Sequence, residues 1–409
     1  MEISLFQSRF QQKTKPITVN GTKLMDSMEP YPRLDTVRRE MRLSWYRSPI
    51  SSKRLRELSQ RSNLQGWFQA GGHVSLFALT GGLVYLSWRF EEWLAFILAL
   101  FLHGTVASFF AGIAPHELGH GTVFRTRWLN QLFLYPISTV SWFDPFDYNV
   151  SHTYHHRYTL HPAGDREVHL PLHPSVGKGF LLQMFTVNLF TERGRTFGKG
   201  GLLRAIVATL KNAIGKIDHP ELPSHQWLKA LHDDQPAEYR KSIWFSRWTL
   251  LFHGSLLVFS MLSGFWVLPL ILTTASFTAN WWAYFIGLTQ HCGLRDNVSD
   301  FRKCVRSIRL DPFSEFLYWR MNWHTEHHMY AGVPCYNLKK LSRELAHDMA
   351  EPKSLRGAWS EMLGTWKRQQ TEPEYQFDIP VPITSTKVRS ENLEALADSV
   401  GDLAPDGLR

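Results

Sequence analysis

Apolar positions gather into four blocks along the 409 residues, with polar chain between and around them. The chain is apolar and aromatic from about Gly71 to Trp88 and again from Trp93 to Ala114, with Arg89, Glu91 and Glu92 between the two blocks. One crossing of a bilayer takes about 20 apolar helical residues, so this pair predicts a helical hairpin. The run 243–288 is about twice that length and divides near Gly264 to Pro269, which predicts a second hairpin. The expected fold is all-α and integral to the membrane. It has four transmembrane helices in two hairpins, at about 71–88, 93–114, 243–263 and 267–288, and a cytoplasmic helical cap.

The polar parts set boundaries and orientation. Residues 1–65 are rich in Lys and Arg, with Pro30, Pro32 and Pro49 interrupting any long helix, and read as an N-terminal arm. The membrane domain is 66–345, and 346–409 reads as a polar C-terminal tail. The arm is dense in positive charge whereas the hairpin turns carry Arg89 or none, so the arm is expected on the cytoplasmic side. Four crossings then return 115–242 and everything after 289 to that side. Within the middle segment Leu203, Ile206, Val207, Leu210, Ile214 and Ile217 recur at helical spacing. This pattern suits either a helix lying in the membrane interface or a face packed on other helices. Trp128 to Phe143 is a second interfacial candidate.

Composition narrows the function. With 44% hydrophobic and 14% aromatic residues the chain is too apolar for disorder, and its mean hydropathy of −0.23 averages apolar blocks with polar ends. Cys292, Cys304 and Cys335 form no disulfide framework. The formal charge of +9 flanks apolar blocks and makes no aromatic-interleaved motif, so nucleic acid is not an expected partner. The first residues, MEISLFQSRFQQKTKP, lack the apolar core of a cleaved signal, so the first crossing is expected to direct insertion.

Chemistry is concentrated in histidine. HELGH at 116–120 has the H-E-x-x-H spacing of a zinc protease, with His116 and His120 on one helical face and Glu117 as base. Two further groups follow: HTYHH with His152, His155 and His156, and HTEHH with His324, His327 and His328, while His291 stands where the fourth block ends. H-x-x-H-H sets three imidazoles on one helical face. All four groups fall on one side of the membrane under the topology above. A catalytic zinc takes only three protein ligands, so eight or nine histidines fit two metals. Imidazole suits iron, zinc, copper and nickel. Isolated His73, His103 and His253 read as packed, hydrogen-bonded residues, and His161, His169 and His173 as supporting or surface groups.

The three boxes, spaced between paired hairpins, resemble the membrane fatty acid desaturase and hydroxylase superfamily over about residues 65–345. The resemblance implies a non-haem diiron centre, O2 as co-substrate and two electrons from an external donor of cytochrome b5 or ferredoxin type. It also implies a lipid substrate, and a membrane that is endoplasmic reticulum or bacterial inner membrane. The eight box histidines match as metal ligands, and His291 matches the additional histidine before the third box. HELGH has three intervening residues, as in acyl-lipid, sphingolipid and carotenoid-modifying relatives. The position four before His291 is Gly287, where some acyl-CoA desaturases have asparagine. HPAG at 161–164 resembles a haem motif of cytochrome b5 but has no domain around it.

Glu117, Asp147, Asp165 and Glu326 are candidates to hold the outer N–H of ligating histidines. Desaturation of a long acyl or related lipid chain is the leading expectation. Hydroxylation or ketolation of a lipid or terpenoid would use the same ligands. A membrane zinc protease and a haem carrier using His103 and His253 are the competing classes.

Overall fold

The computed structural model describes residues 18–19, 22–23, 32–165, 167, 174–191, 200–216 and 224–382. Among the described residues two helices are long and apolar enough to cross a membrane: Asn63–Arg89, here α1, and Trp93–Gly119. The second is built from α2 (Trp93–Ser108) and α3 (Ile113–Gly119) joined by a turn. At about 1.5 Å per residue, the 27 residues of α1 reach about 40 Å, more than the hydrocarbon core. α1 and α2 pack closely and leave Leu79, Leu83, Leu86, Ile97 and Leu98 exposed. Gly104 permits a close approach of α2 to the 278 segment, because a Cβ there would lie 2.2 Å from the Thr278 carbonyl oxygen.

Next come α4 (Arg127–Val140), α5 (Pro145–Tyr158) and α6 (Leu202–Ala213). α6 buries Leu202, Ala205 and Ala213 and packs on the following long helix, yet exposes Leu203, Val207, Leu210 and Ile214. One apolar face is therefore packed and the other uncovered; Ile217 lies outside the described residues. Trp128 and Leu132 of α4 are also exposed. α7 (Pro236–Ser263) runs 28 residues and ends at left-handed Gly264.

The fourth apolar block is not the continuous helix expected from its hydropathy. It consists of α8 (Val267–Leu272), a 3-10 turn at Ala275–Phe277, and α9 (Trp281–Gly287). The break falls on TTASFTAN, whose hydroxyl and amide side chains compete for backbone groups. Thr274 Oγ1 donates to Leu270 O and Thr278 Oγ1 to Thr274 O, and Ala279 takes a left-handed φ of 43°. Irregular backbone at membrane depth is tolerated when buried in protein. Ala275 to Ala279 are all buried, and neighbours satisfy them: Trp142 Nε1 donates to Thr273 O, Thr105 Oγ1 to Ala279 O, and Asn188 N to Phe277 O.

The C-terminal part carries α10 (His324–Met329), α11 (Cys335–Leu345) and α12 (Leu355–Gln369). The expected polar tail is thus integrated into the body as far as 382. Met362 of α12 packs with Met184, Tyr284, Leu288 and Cys292, and Phe377 N donates to Gly293 O. From residue 34 onward the arm is docked as well: Leu34 and Val37 pack on Val150, Tyr154 and Tyr158 of α5, and Trp45 stacks on Phe301. Amphipathic patterns too short to span a membrane carry both attachments. The main core runs from α2 and α3 to α10 and α11, and α5 packs through a separate cluster that includes Val150, Tyr154 and Tyr158.

Candidate metal centre

Each histidine group is phased by its own helix start. Gly112, at φ 91°, turns the chain between α2 and α3 and brings His116 and His120 inward. α5 begins with Asp144 accepting from the N–H groups of Phe146 and Asp147, and with Pro145 at its first position, a strong N-terminal signal. That start fixes the face on which His152, His155 and His156 emerge. α10 is six residues of HTEHHM entered through a tight turn.

The nine histidines converge and divide into two clusters. His116, His120, His152, His156 and His327 form one; His155, His291, His324 and His328 form the other, and within each the ligand atoms lie within 4.8 Å of one another. The clusters adjoin, with His156 stacked on His328 at 4.5 Å between ring centroids. Helices α5 and α10 each contribute to both.

Outer partners fix which ring nitrogen faces inward. His152 Nδ1–H donates to Glu167 at 2.7 Å, His155 Nδ1–H to Asp165 at 3.0 Å, His116 Nδ1–H to Glu117 at 2.9 Å, and His291 Nδ1–H to Cys304 O at 3.0 Å. Thr159 spends its hydroxyl hydrogen on His155 O, so it accepts from His328 Nδ1–H at 3.1 Å. The Nε2 atoms of these residues are therefore bare and point inward. His324 Nε2 sits 3.0 Å from His291 Nε2 and 3.2 Å from His328 Nε2, and one proton cannot satisfy both contacts well. His120 and His152 face each other at 3.1 Å, His156 and His327 at 3.2 Å. His116 Nε2 is buried without a hydrogen-bond partner. A cation in each cluster would satisfy these lone pairs together, so the residues fit a metal pair.

Electrostatics favour neutral ligands. Burial first, and neighbouring imidazoles second, push His152, His156, His324, His327 and His328 well below the ordinary histidine range. His291 is also well below it, through burial and then His155. His155 differs: burial is the largest influence and lowers it, but Asp165 and Glu167 outweigh burial and bring it to about 8. Neutral imidazole with a carboxylate on its outer nitrogen is the usual state of a metal-ligating histidine.

The supporting residues separate from the expectation. Glu117 contacts His116 and Asp165 contacts His155, and Asp165 additionally accepts from the backbone N–H of Leu160 and Glu167. Glu117 Oε1 lies 2.9 Å from His116 Nδ1 and 3.7 Å from His327 Nδ1. Asp147 instead faces His232 at 2.5 Å. It precedes His152 by five residues, about 1.4 helical turns, so it projects from a different side of α5. Glu326 accepts from Ser307 Oγ at 2.5 Å, because it projects from the side of α10 opposite the three ligands. Glu167, Thr159 and the Cys304 carbonyl were not anticipated. The acidic run after the second box was a signal for Glu167; a backbone carbonyl leaves none.

His73, His103 and His253 are hydrogen-bonded structural residues. His103 Nε2–H donates to Ile271 O, His253 Nε2–H to Thr139 O, and His73 Nε2–H to Val106 O. These nitrogens are committed, which removes the haem reading. His161 Nδ1–H donates to Thr159 O; His169 and His173 lie outside the described residues.

A comparison with curated proteins found no match. The family model described as fatty acid desaturase matches residues 91–358, which span the three boxes and His291. With the boxes assembled around two adjoining clusters and well over half of the sequence matched, the chain belongs to the fatty acid desaturase family.

Proposed function

We propose that this chain is an O2-dependent membrane desaturase that removes two hydrogens from a long acyl or related lipid chain at two irons held by the nine histidines. The observation that carries this reading is the division of the nine histidines, seven of them buried, into two adjoining clusters with Nε2 atoms facing one another across 3.0 to 3.2 Å. Iron in both clusters would supply the O2 activation needed to take hydrogen from an unactivated C–H bond. The balance is one O2, two electrons, two protons and one saturated chain giving one alkene and two waters. His116, His120, His152, His156 and His327 would hold one ion, and His155, His291, His324 and His328 the other. Asp165, Glu167 and Glu117 orient their histidines and keep the outer proton on Nδ1. Burial of the clusters excludes bulk water from the reacting bond.

The membrane placement rests on α1 and α2–α3, joined by α7 and the broken fourth block as two further crossings. Leu251, Leu257, Val258 and Leu262 of α7 are exposed, and so broad an apolar band is what lipid contact requires. The clusters face the cytoplasm, of a eukaryotic endoplasmic reticulum or a bacterial cell. Electrons come from a separate cytochrome b5-like or ferredoxin-like donor. Expression in a lipid-rich host, with extracted lipids compared by mass spectrometry against His155→Ala, tests the reaction. New double bonds only with the unaltered chain support it; an added oxygen without a double bond would assign hydroxylation instead.

A further inference from the structure

Two consecutive residues just ahead of the third box, Trp319 and Arg320, are left-handed, with φ of 49° and 56°. Residues with a Cβ seldom hold that conformation, and a bulky pair in succession persists only where the surroundings fix it. Both are gripped from α1. The buried Trp319 ring donates its Nε1–H to Nδ1 of His73 at 2.9 Å, while His73 Nε2–H is anchored on Val106 O at 3.1 Å. The Arg320 guanidinium donates to Oε1 of Gln69, whose amide donates in turn to Phe316 O at 2.8 Å. Gln69 is fully buried and sits in a π-helical turn, Trp67–Gly71, inserted in α1. Single π turns within helices are rare and concentrate at functional positions. The grip therefore spans Phe316 to Arg320, and Trp323 N then bonds Arg320 O to launch α10. His324 follows four residues after Arg320, and α10 supplies ligands to both clusters.

We propose that Gln69 and His73 are positioning residues for the third histidine box: they hold Trp319 and Arg320 in their left-handed turn and so set the phase of His324, His327 and His328. Both precede the stretch matched by the family model, which begins at residue 91. The inference rests on reading the clusters as a two-metal site.

The test uses the purified full chain, with iron as the probe, metal per chain by mass spectrometry and amide exchange over 319–329. Gln69→Leu is expected to weaken iron binding about 10-fold or more and to speed exchange in that turn. Arg320→Gly, whose backbone accepts the left-handed turn without a grip, is expected to load iron normally. The double variant Gln69→Leu/Arg320→Gly is expected to regain iron. A role of Gln69 in helix packing alone would give no such rescue. Normal iron and exchange in Gln69→Leu, loss of iron in Arg320→Gly, or failure of the double variant would each overturn the proposal. If the unaltered chain takes no iron, the metal reading fails by itself, and exchange in Gln69→Leu still decides whether the turn is held from α1.

Discussion

Histidine serves two purposes in this chain, and the outer nitrogen distinguishes them. In His116, His152, His155, His291 and His328 of the clusters Nδ1 is committed to a carboxylate, carbonyl or hydroxyl and Nε2 points inward. In His73, His103 and His253 it is Nε2 that donates to a backbone carbonyl. His103→Ala should therefore cost about 1–3 kcal/mol by leaving Ile271 O unpaired and lower the thermal midpoint, with metal content per folded chain unchanged. His324→Ala should do the reverse, losing metal with a smaller change in the midpoint of the metal-free protein. Asp165→Asn replaces the acceptor of His155 Nδ1–H by a neutral amide. Iron affinity is expected to fall about 10- to 100-fold, as measured by competition with a chelator. The box histidines were legible because H-x-x-H-H on a helix leaves them no other arrangement. Asp147 and Glu326 misled because they lie near ligands in sequence while projecting from other faces of α5 and α10.

At the scale of elements, hydropathy located all four apolar blocks and failed on the continuity of the last. Thr273 to Asn280 mixes Ala and Phe with Thr, Ser and Asn, which favour breaks, and over the length of a crossing the apolar residues on either side mask it. The broken backbone is held by α2 and the 186–188 segment, so it is a packed element with little freedom to become a regular helix. Ala279 sits there fully buried at φ 43°. Ala279→Val places a β-branched residue in a left-handed position and should destabilise by about 1–3 kcal/mol, read as a lower thermal midpoint in detergent, whereas Ala279→Gly should be tolerated. The C-terminal helix α12 was hidden for a complementary reason. Its buried stripe of Ala358, Met362 and Thr365 is narrow and flanked by charge, so it reads as polar until its partners are in place.

For the whole molecule, a centre of nine imidazoles, seven of them buried, makes the metal-free state sensitive to acid. Six of them, His152, His156, His291, His324, His327 and His328, are depressed by burial below an unfolded value near 6.5. Their folded pKa lies below the unfolded one, so the unfolded chain binds protons first and stability falls as pH drops below about 6.5. His155, raised to about 8, contributes in the opposite sense: its stabilisation is complete below about 6.5 and is lost as pH rises through about 8. Six groups outweigh one, so the chelated protein should unfold at lower temperature near pH 5 than near pH 7. Metal loading should raise the midpoint at neutral pH, since it binds the folded state alone.

The central claim is that the protease-like HELGH pair is one part of a two-metal centre. Metal analysis of the chain purified from iron-supplemented cells tests it most directly, with total iron and zinc measured against protein. The account predicts two irons per chain, one for each cluster, with His116→Ala and His324→Ala each falling below that ratio. A single zinc per chain, lost in His116→Ala and retained in full in His324→Ala, would contradict it.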